Sequence, residues 1–362
     1  MSFISIVSIK WRLFYERGFY LKKYIIWIIR VIWYIFALET FIQELMKISV
    51  VCGSRARDKN LLLNFLKMLD VQTFKDFDVN IICDRNFTRM EEFDFLSFFE
   101  VQDLNIVKYT HFFTNNNSSF NPYHEWWASY VRNFGIQNVK GEFIQLFDDD
   151  NEVESDFLEK CMEKREETTS ETKSECVILP SLYYRDTHQI QNQWFSHFNY
   201  RQSRPVLHLL NWKGKGQVQM FSGNGIFAKA STLRKSKYDE KIARISEDLD
   251  YTLSLYEQWI QLRVFADLKV KHHERDKNKL EQARIGSYLQ AKQKSRNRFL
   301  FTKKHWNKNQ IFEFYLCWLP GCIARLSIKA ILFGGKDRFK IIKWLFSGAR
   351  EWYRLVHENK NN

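Results

Sequence analysis

The hydrophobic pattern changes character at residue 47. Before it, residues 24–38 (YIIWIIRVIWYIFAL) form one apolar run with Arg30 inside it, led by Lys10, Arg12, Arg17, Lys22 and Lys23. After it, short β-branched runs alternate with stretches of helical spacing. Ile48 to Cys52 reads as a strand ended by Gly53, and Asp58 then caps a helix whose Leu61, Leu62, Phe65, Leu66 and Leu69 share one face. Val79 to Cys83 reads as a second strand, stopped by Asp84, and Val101 to Tyr109 as a third, followed by a polar loop over 114–119. Asn121 and Pro122 form an N-cap and first-turn pair for a helix that carries Trp127, Tyr130, Val131 and Phe134 up to Gly135. Phe143 to Phe147 is a strand that runs into three aspartates. Residues 166–175 (EETTSETKSE) read as a solvated loop, and strands resume at Cys176 to Pro180, Gln217 to Phe221, Gly225 to Ala228 and Leu262 to Val270. Strands and helices in alternation predict an α/β fold with a mostly parallel sheet.

Composition narrows the class. With 362 residues, 45% of them apolar and 17% aromatic, the chain has enough apolar surface for a large core, which excludes a disordered or collagen-like protein. The six cysteines, at 52, 83, 161, 176, 317 and 322, contain no Cys-x-x-Cys pair, so neither a zinc ribbon nor a disulfide framework is encoded, and a reducing cytosol suits them. The net charge of +13 is unevenly placed. Residues 1–46 hold 6 Lys/Arg against 3 Asp/Glu, residues 290–362 hold 16 against 4, and the stretch between holds 33 against 35. Basic residues mixed with Trp, Phe, Ile and Leu at the two ends suit an anionic membrane surface better than nucleic acid.

The organisation expected is an N-terminal basic and apolar helical segment over 1–46, a catalytic α/β domain over 47–310, and basic amphipathic helices over 311–362, broken at Gly334-Gly335. The run 24–38 is shorter than the roughly 20 apolar residues a span needs, and it lacks the small-residue cleavage site of a signal peptide. It reads as an interfacial or core-docking helix, as a span, or as sequence ahead of a true start at Met46.

The most informative chemistry lies at Asp148-Asp149-Asp150, where strand periodicity puts Asp148 and Asp150 on one side and Asp149 on the other. Three adjacent carboxylates at a strand's carboxyl end repel one another unless a cation compensates. Oxygen ligands select a hard ion, Mg²⁺ or Mn²⁺, which favours a phosphorylated substrate. Such a strand end is where open α/β sheets bind ligands.

Around these acids the segment reads Arg132-Asn133-Phe134-Gly135, then Lys140-Gly141-Glu142, then an apolar strand and Asp148-Asp149-Asp150. Further along come Glu247-Asp248-Leu249-Asp250, Val270-Lys271-His272-His273 and Lys294-Ser295-Arg296-Asn297-Arg298. In this order the motifs resemble glycosyltransferase family 2, including its rhamnosyltransferase-like members, over about residues 47–310. The resemblance implies a GT-A type sandwich and an inverting transferase that moves a sugar from a nucleotide-sugar donor to a hydroxyl. It places Asp84 on the nucleotide base, Asp148 and Asp149 on the donor, Arg132 near the diphosphate, and a divalent metal on Asp150, with His272 as a further ligand and His273 as the alternative. Asp248 becomes the general base, with Glu247, Asn224, Arg296 and Asn297 on the acceptor side. Trp126, Trp127, Trp194 and Trp212 line the cleft or fill the core.

The same resemblance points to cell-surface polysaccharide synthesis on a glycan or lipid-linked glycan acceptor, at the cytoplasmic face of the cell membrane. The competing expectations are a catalytically silent GT-A module that binds sugar or partners, a transferase acting on protein, and a basic nucleic-acid binder. The slightly acidic middle of the chain disfavours the last.

Overall fold

The computed structural model describes residues 47–54, 59–84, 109–114, 127–184, 190–191, 194–199, 204–207, 214–221, 225–242, 247–272 and 338–358, with separate residues between 296 and 332. The chain forms two compact units, 1–46 and 47–362, and every described residue belongs to the second.

In chain order the elements are β1 (Ile48–Ser54), α1 (Lys59–Asp70), β2 (Phe77–Asp84), β3 (Tyr109–Thr114), α2 (Trp127–Asn138), β4 (Phe143–Asp148), β5 (Asn151–Val153) and α3 (Phe157–Thr172). They continue with β6 (Cys176–Tyr184), β7 (Ile190–Gln191), β8 (Trp194–Asn199), β9 (Arg204–Leu207), β10 (Lys215–Val218), β11 (Met220–Phe221), β12 (Phe227–Lys229), α4 (Ala230–Leu233), α5 (Glu247–Tyr256), β13 (Gln261–His272) and α6 (Arg338–Glu358). The main sheet has the order β10-β13-β6-β12-β4-β1-β2-β3, with β5 on β13 and β7 on β6, and β11-β8-β9 form a second, small sheet. Strands β1, β2, β3 and β4 pair in parallel, as do β6 and β13, while β12 lies antiparallel between β4 and β6. The sheet is therefore mixed, and parallel pairing makes up most of its ladder.

All seven residues of β1 are buried, which a strand covered by helices on both faces requires. On one face Phe147 meets Phe65 of α1 edge-on at 5.8 Å and Phe157 of α3 at 5.6 Å. On the other face α2 comes so close to β1 that a Cβ on Gly135 would lie 2.4 Å from Val51 Cγ1. Gly135 is thus not the stop of its helix, which continues to Asn138; it is the point where helix meets sheet. Gly135→Ala is expected to destabilise the fold by about 1–3 kcal/mol, the usual range for overpacking a filled core. Urea denaturation checks it, and an unchanged midpoint would show that α2 can lift at no cost.

Two further expectations are corrected. Residues 166–175 are largely helical, because α3 runs to Thr172, and Thr168, Thr169 and Thr172 turn their hydroxyls back onto carbonyls four residues earlier. The third strand lies at Tyr109–Thr114 rather than ending at Tyr109, while 101–108 and the helix start at Asn121-Pro122 lie outside the described residues, as does the Asp58 cap.

Candidate active site

Four structural devices gather acids and cations at the carboxyl edge of the parallel strands. The register Gly53↔Asp148 puts the end of β4 beside the end of β1, and Ser54↔Cys83 puts the end of β2, and hence Asp84, next along the same edge. The Asp84 side chain is outside the described residues.

The first device is the turn from β4 to β5. The Asp148 amide donates to Asn151 Oδ1 at 2.9 Å, which folds the three aspartates into a tight turn. Their side chains separate: Ser54 Oγ donates to Asp149 Oδ2 at 2.6 Å, Asp148 accepts from Arg132, and the buried Asp150 faces β13. The second device is the pairing of β5 with β13, whose register His272↔Asn151 brings His272 beside Asp150. His272 Nε2 stands 3.3 Å from Asp150 Oδ1, yet that buried oxygen has no hydrogen-bond partner among the described residues.

A cation fits this place. Asp148, Asp150 and His272 each present one ligand atom, and the three atoms lie within 4.8 Å of one another. Two carboxylate oxygens and an imidazole nitrogen suit Mn²⁺ well and Mg²⁺ through the oxygens. The metal set read from the sequence, Asp150 and His272, is thus joined by Asp148. His273 lies outside the described residues.

The third device is Arg132 on α2. Its side chain is 10% exposed, and its guanidinium donates to Asp148 Oδ1 at 3.0 Å and to Asp248 Oδ1 at 2.7 Å. Burial pushes the guanidinium down, but Asp248 and Asp148 outweigh it and hold it above its ordinary value. Tyr238 lies under it, 5.4 Å from ring centre to cation, and stacks on Tyr251 of α5 at 4.0 Å. Asn133, the next residue of α2, fixes Tyr238 by donating to its carbonyl and accepting from its amide. Arg132 and Asn133 therefore divide the work: one faces the acids and the other holds the ring that supports it. Asn133 and Tyr238 were not singled out from the sequence; the signal was the Arg-Asn pair itself.

The fourth device is α5, whose first turn holds Glu247, Asp248 and Asp250. Burial lifts the Asp248 carboxyl from 3.8 to about 8, against the pull of Arg132 and with help from Glu247 and Asp148. A carboxyl poised there takes a proton near neutral pH. Glu247 is buried in the same turn. Asp250 is wholly buried and belongs to another set: Lys304 Nζ donates to its Oδ2 at 2.6 Å, and His305 Nε2 meets its Oδ1 at 2.8 Å. His305 Nδ1 meets Glu257 Oε2 at 2.9 Å. Stripping one partner from such a buried charge costs about 3–5 kcal/mol.

Of the acceptor-side candidates, Arg296 and Asn297 are both 2% exposed, with the guanidinium donating to Asn297 Oδ1 at 3.2 and 3.0 Å. Asn224, Trp126 and Trp212 lie outside the described residues, as do the side chains of Trp127 and Trp194.

With this geometry in place, comparison with known proteins adds a family. Residues 120–235 match the family model of Glycosyl transferase family 2, so the resemblance read from the sequence holds over that segment. It includes Arg132 and Asp148 to Asp150 but not Asp84, Asp248 or His272. The mixed sheet with its parallel half is the GT-A type of fold expected from that resemblance. No curated protein matches the chain. Among solved structures the chain is similar to S. aureus TarS. Residues 1–349 of that protein align at 15% identity over 86% of this chain and 92% of that one, with a TM-score of 0.45. The same piece in complex with UDP-GlcNAc gives 15%, the same coverage and 0.46. A longer TarS structure gives 14% and 0.46, and this alignment spans 55% of that longer chain.

Proposed function

We propose that this chain, which over residues 120–235 is of glycosyltransferase family 2 type, is an inverting glycosyltransferase moving a sugar from a nucleotide-sugar donor to an acceptor hydroxyl. One observation carries the reading. The single guanidinium of Arg132 ties Asp148, from the candidate metal and donor set, to Asp248, the candidate base, so the groups for both halves of the reaction stand around one cation. In this reading Asp84 and Asp149 hold the nucleotide, and Arg132 turns to the donor diphosphate as it binds. Asp248 takes the acceptor proton as the new bond forms, and a single displacement inverts the anomeric carbon. A divalent ion on Asp148, Asp150 and His272 would act as a Lewis acid for the leaving diphosphate.

The experiment is a panel of UDP-, GDP- and dTDP-linked sugars incubated with Mn²⁺ or Mg²⁺, with nucleoside diphosphate release followed by mass spectrometry. Release from one donor class, lost on chelation, is the expected result. No release from any donor, with or without a glycan acceptor, would favour a silent binding module.

The acceptor in this reading is a glycan or lipid-linked glycan of the cell surface, reached at an anionic membrane surface. Helix α6 supports it: Phe339 and Phe346 are 71% and 54% exposed, beside exposed Lys340, Lys343 and Arg350. No helix among the described residues is long and apolar enough to cross a membrane. A basic amphipathic helix lies in the interface, where each Lys or Arg adds about 1 kcal/mol near anionic lipid. Flotation with phosphatidylserine vesicles should therefore carry the protein, weaken with salt and fall when residues 311–362 are removed. Equal flotation of the shortened chain would place any membrane contact elsewhere.

A further inference from the structure

Asp250 stands two residues after Asp248 on α5, so the two side chains leave the helix about 200° apart. Asp248 reaches forward to Arg132. Asp250 reaches the other way, where its oxygens are taken one each by Lys304 and His305. Beside these two, Phe301 and Trp306 are buried, and Phe301 packs at 4.6 Å on the His305 ring. The imidazole is itself buried and spans Asp250 and Glu257, and donating to both requires its charged form. Lys304 adds a second cation on the same carboxylate. The first turn of α5 is thus gripped by charge from both sides, and only the Arg132 side belongs to the candidate site.

We propose that Lys304 and His305 are positioning residues for glycosyl transfer, which neutralise the buried Asp250 and so hold the first turn of α5 where Asp248 can meet the acceptor hydroxyl. The proposal rests on Asp248 as the base. Without the clamp, Asp250 would be a buried charge with no counterion among the described residues, and the turn that bears Asp248 would move toward water to relieve it. A displacement of about 1 Å of a reacting group is enough to cost on the order of 10²-fold in rate. Donor binding, which in this reading rests on the ends of β2, β4 and β13 and on Arg132 of α2 rather than on α5, would be spared.

The test uses the full chain, with UDP and GDP plus Mn²⁺ as binding probes and turnover of the panel donor as the rate. Lys304→Met and His305→Gln are expected to lower kcat roughly 10- to 100-fold, with the diphosphate Kd and the donor KM within about twofold of wild type. Adding Asp250→Asn to Lys304→Met should return most of the lost kcat, because the charge that needed the clamp is gone; a merely structural tether would not be rescued in this way. Should Lys304→Met fail to fold, the Asp250→Asn/Lys304→Met double variant carries the test alone: it should fold and turn over. Wild-type kcat in the single variants, an equal loss of diphosphate affinity, or a double variant as slow as the single one would overturn the proposal. Asp248→Asn separates the two ideas. Transfer retained there removes the base assignment, whereas transfer lost there with normal Lys304→Met and His305→Gln leaves the base standing and removes the clamp.

Discussion

Asp248→Asn is expected to lower glycosyl transfer by a factor of about 10² to 10⁴, the span that a positioned general base contributes. The amide keeps the size of the carboxylate, and its oxygen can still accept from Arg132, now at 2.7 Å from Asp248 Oδ1. Diphosphate binding should therefore survive while proton removal is lost. The pH profile gives an independent reading. With its carboxyl pushed up to about 8, wild type should gain kcat with rising pH until it levels above that value, and the asparagine variant should be flat. Stability should run the other way. A carboxyl raised on folding binds a proton more tightly in the native state, so its contribution is complete below the ordinary 3.8 and is lost as pH climbs through about 8. Activity and stability would thus move oppositely with pH in wild type and neither would respond at this site in the variant. Near-normal transfer by Asp248→Asn would move the base to Glu247, since both Asp250 oxygens are already engaged by Lys304 and His305.

Asp150→Ala should lower metal-dependent donor turnover by about 10²- to 10³-fold, the cost of removing one principal stabiliser of transition-state charge. The ligand-free fold should be undiminished. Asp150 Oδ1 is buried with no hydrogen-bond donor among the described residues and meets only His272 Nε2 at 3.3 Å, so its removal costs little pairing and relieves repulsion from Asp148. Thermal melts with Mn²⁺ and nucleoside diphosphate check this directly: ligand should raise the wild-type midpoint and leave the variant where it was. Equal shifts in both proteins would remove Asp150 from the metal set.

What the sequence reveals and what it hides follow from the range of the forces involved. The strand ends at Asp84 and Asp148 and the acidic first turn of α5 are local features, legible because each is an abrupt change from apolar to charged residues. The helix over 166–172 is not legible that way, since EETTSET carries no apolar stripe. It is held by hydroxyl-to-carbonyl bonds within α3 and by Lys215 pairing with both Glu167 and Glu171 from a distant strand. Gly135 looks like a helix stop in sequence, whereas its role is to let α2 pack so close to Val51 that a Cβ there would clash, which only the packed structure reveals. Lys304 and His305 are hidden for the same reason. In sequence they belong to a basic stretch rich in aromatics, and their partner Asp250 lies 54 and 55 residues away.

The strand order also bears on how the chain can assemble. β3, β2, β1 and β4 are neighbours drawn from residues 48–148, so four of the sheet's ten strands can pair as soon as that part of the chain exists. The remaining strands cannot follow in sequence. β12, at Phe227–Lys229, must wedge between β4 and β6 before those two strands share a sheet, and β13 must then be laid alongside β6. Sequence-distant pairings of this kind are slow to form, because loop closure precedes any reward. His272 reaches Asp150 only when the last of these strands is seated, and Asp250 is neutralised only when residues 304 and 305 arrive. Arg132 and Ser54 can reach Asp148 and Asp149 within the first half of the chain, whereas Asp150 and Asp250 wait for partners from residues 272, 304 and 305, so the contacts of these two acids are among the last the fold can make.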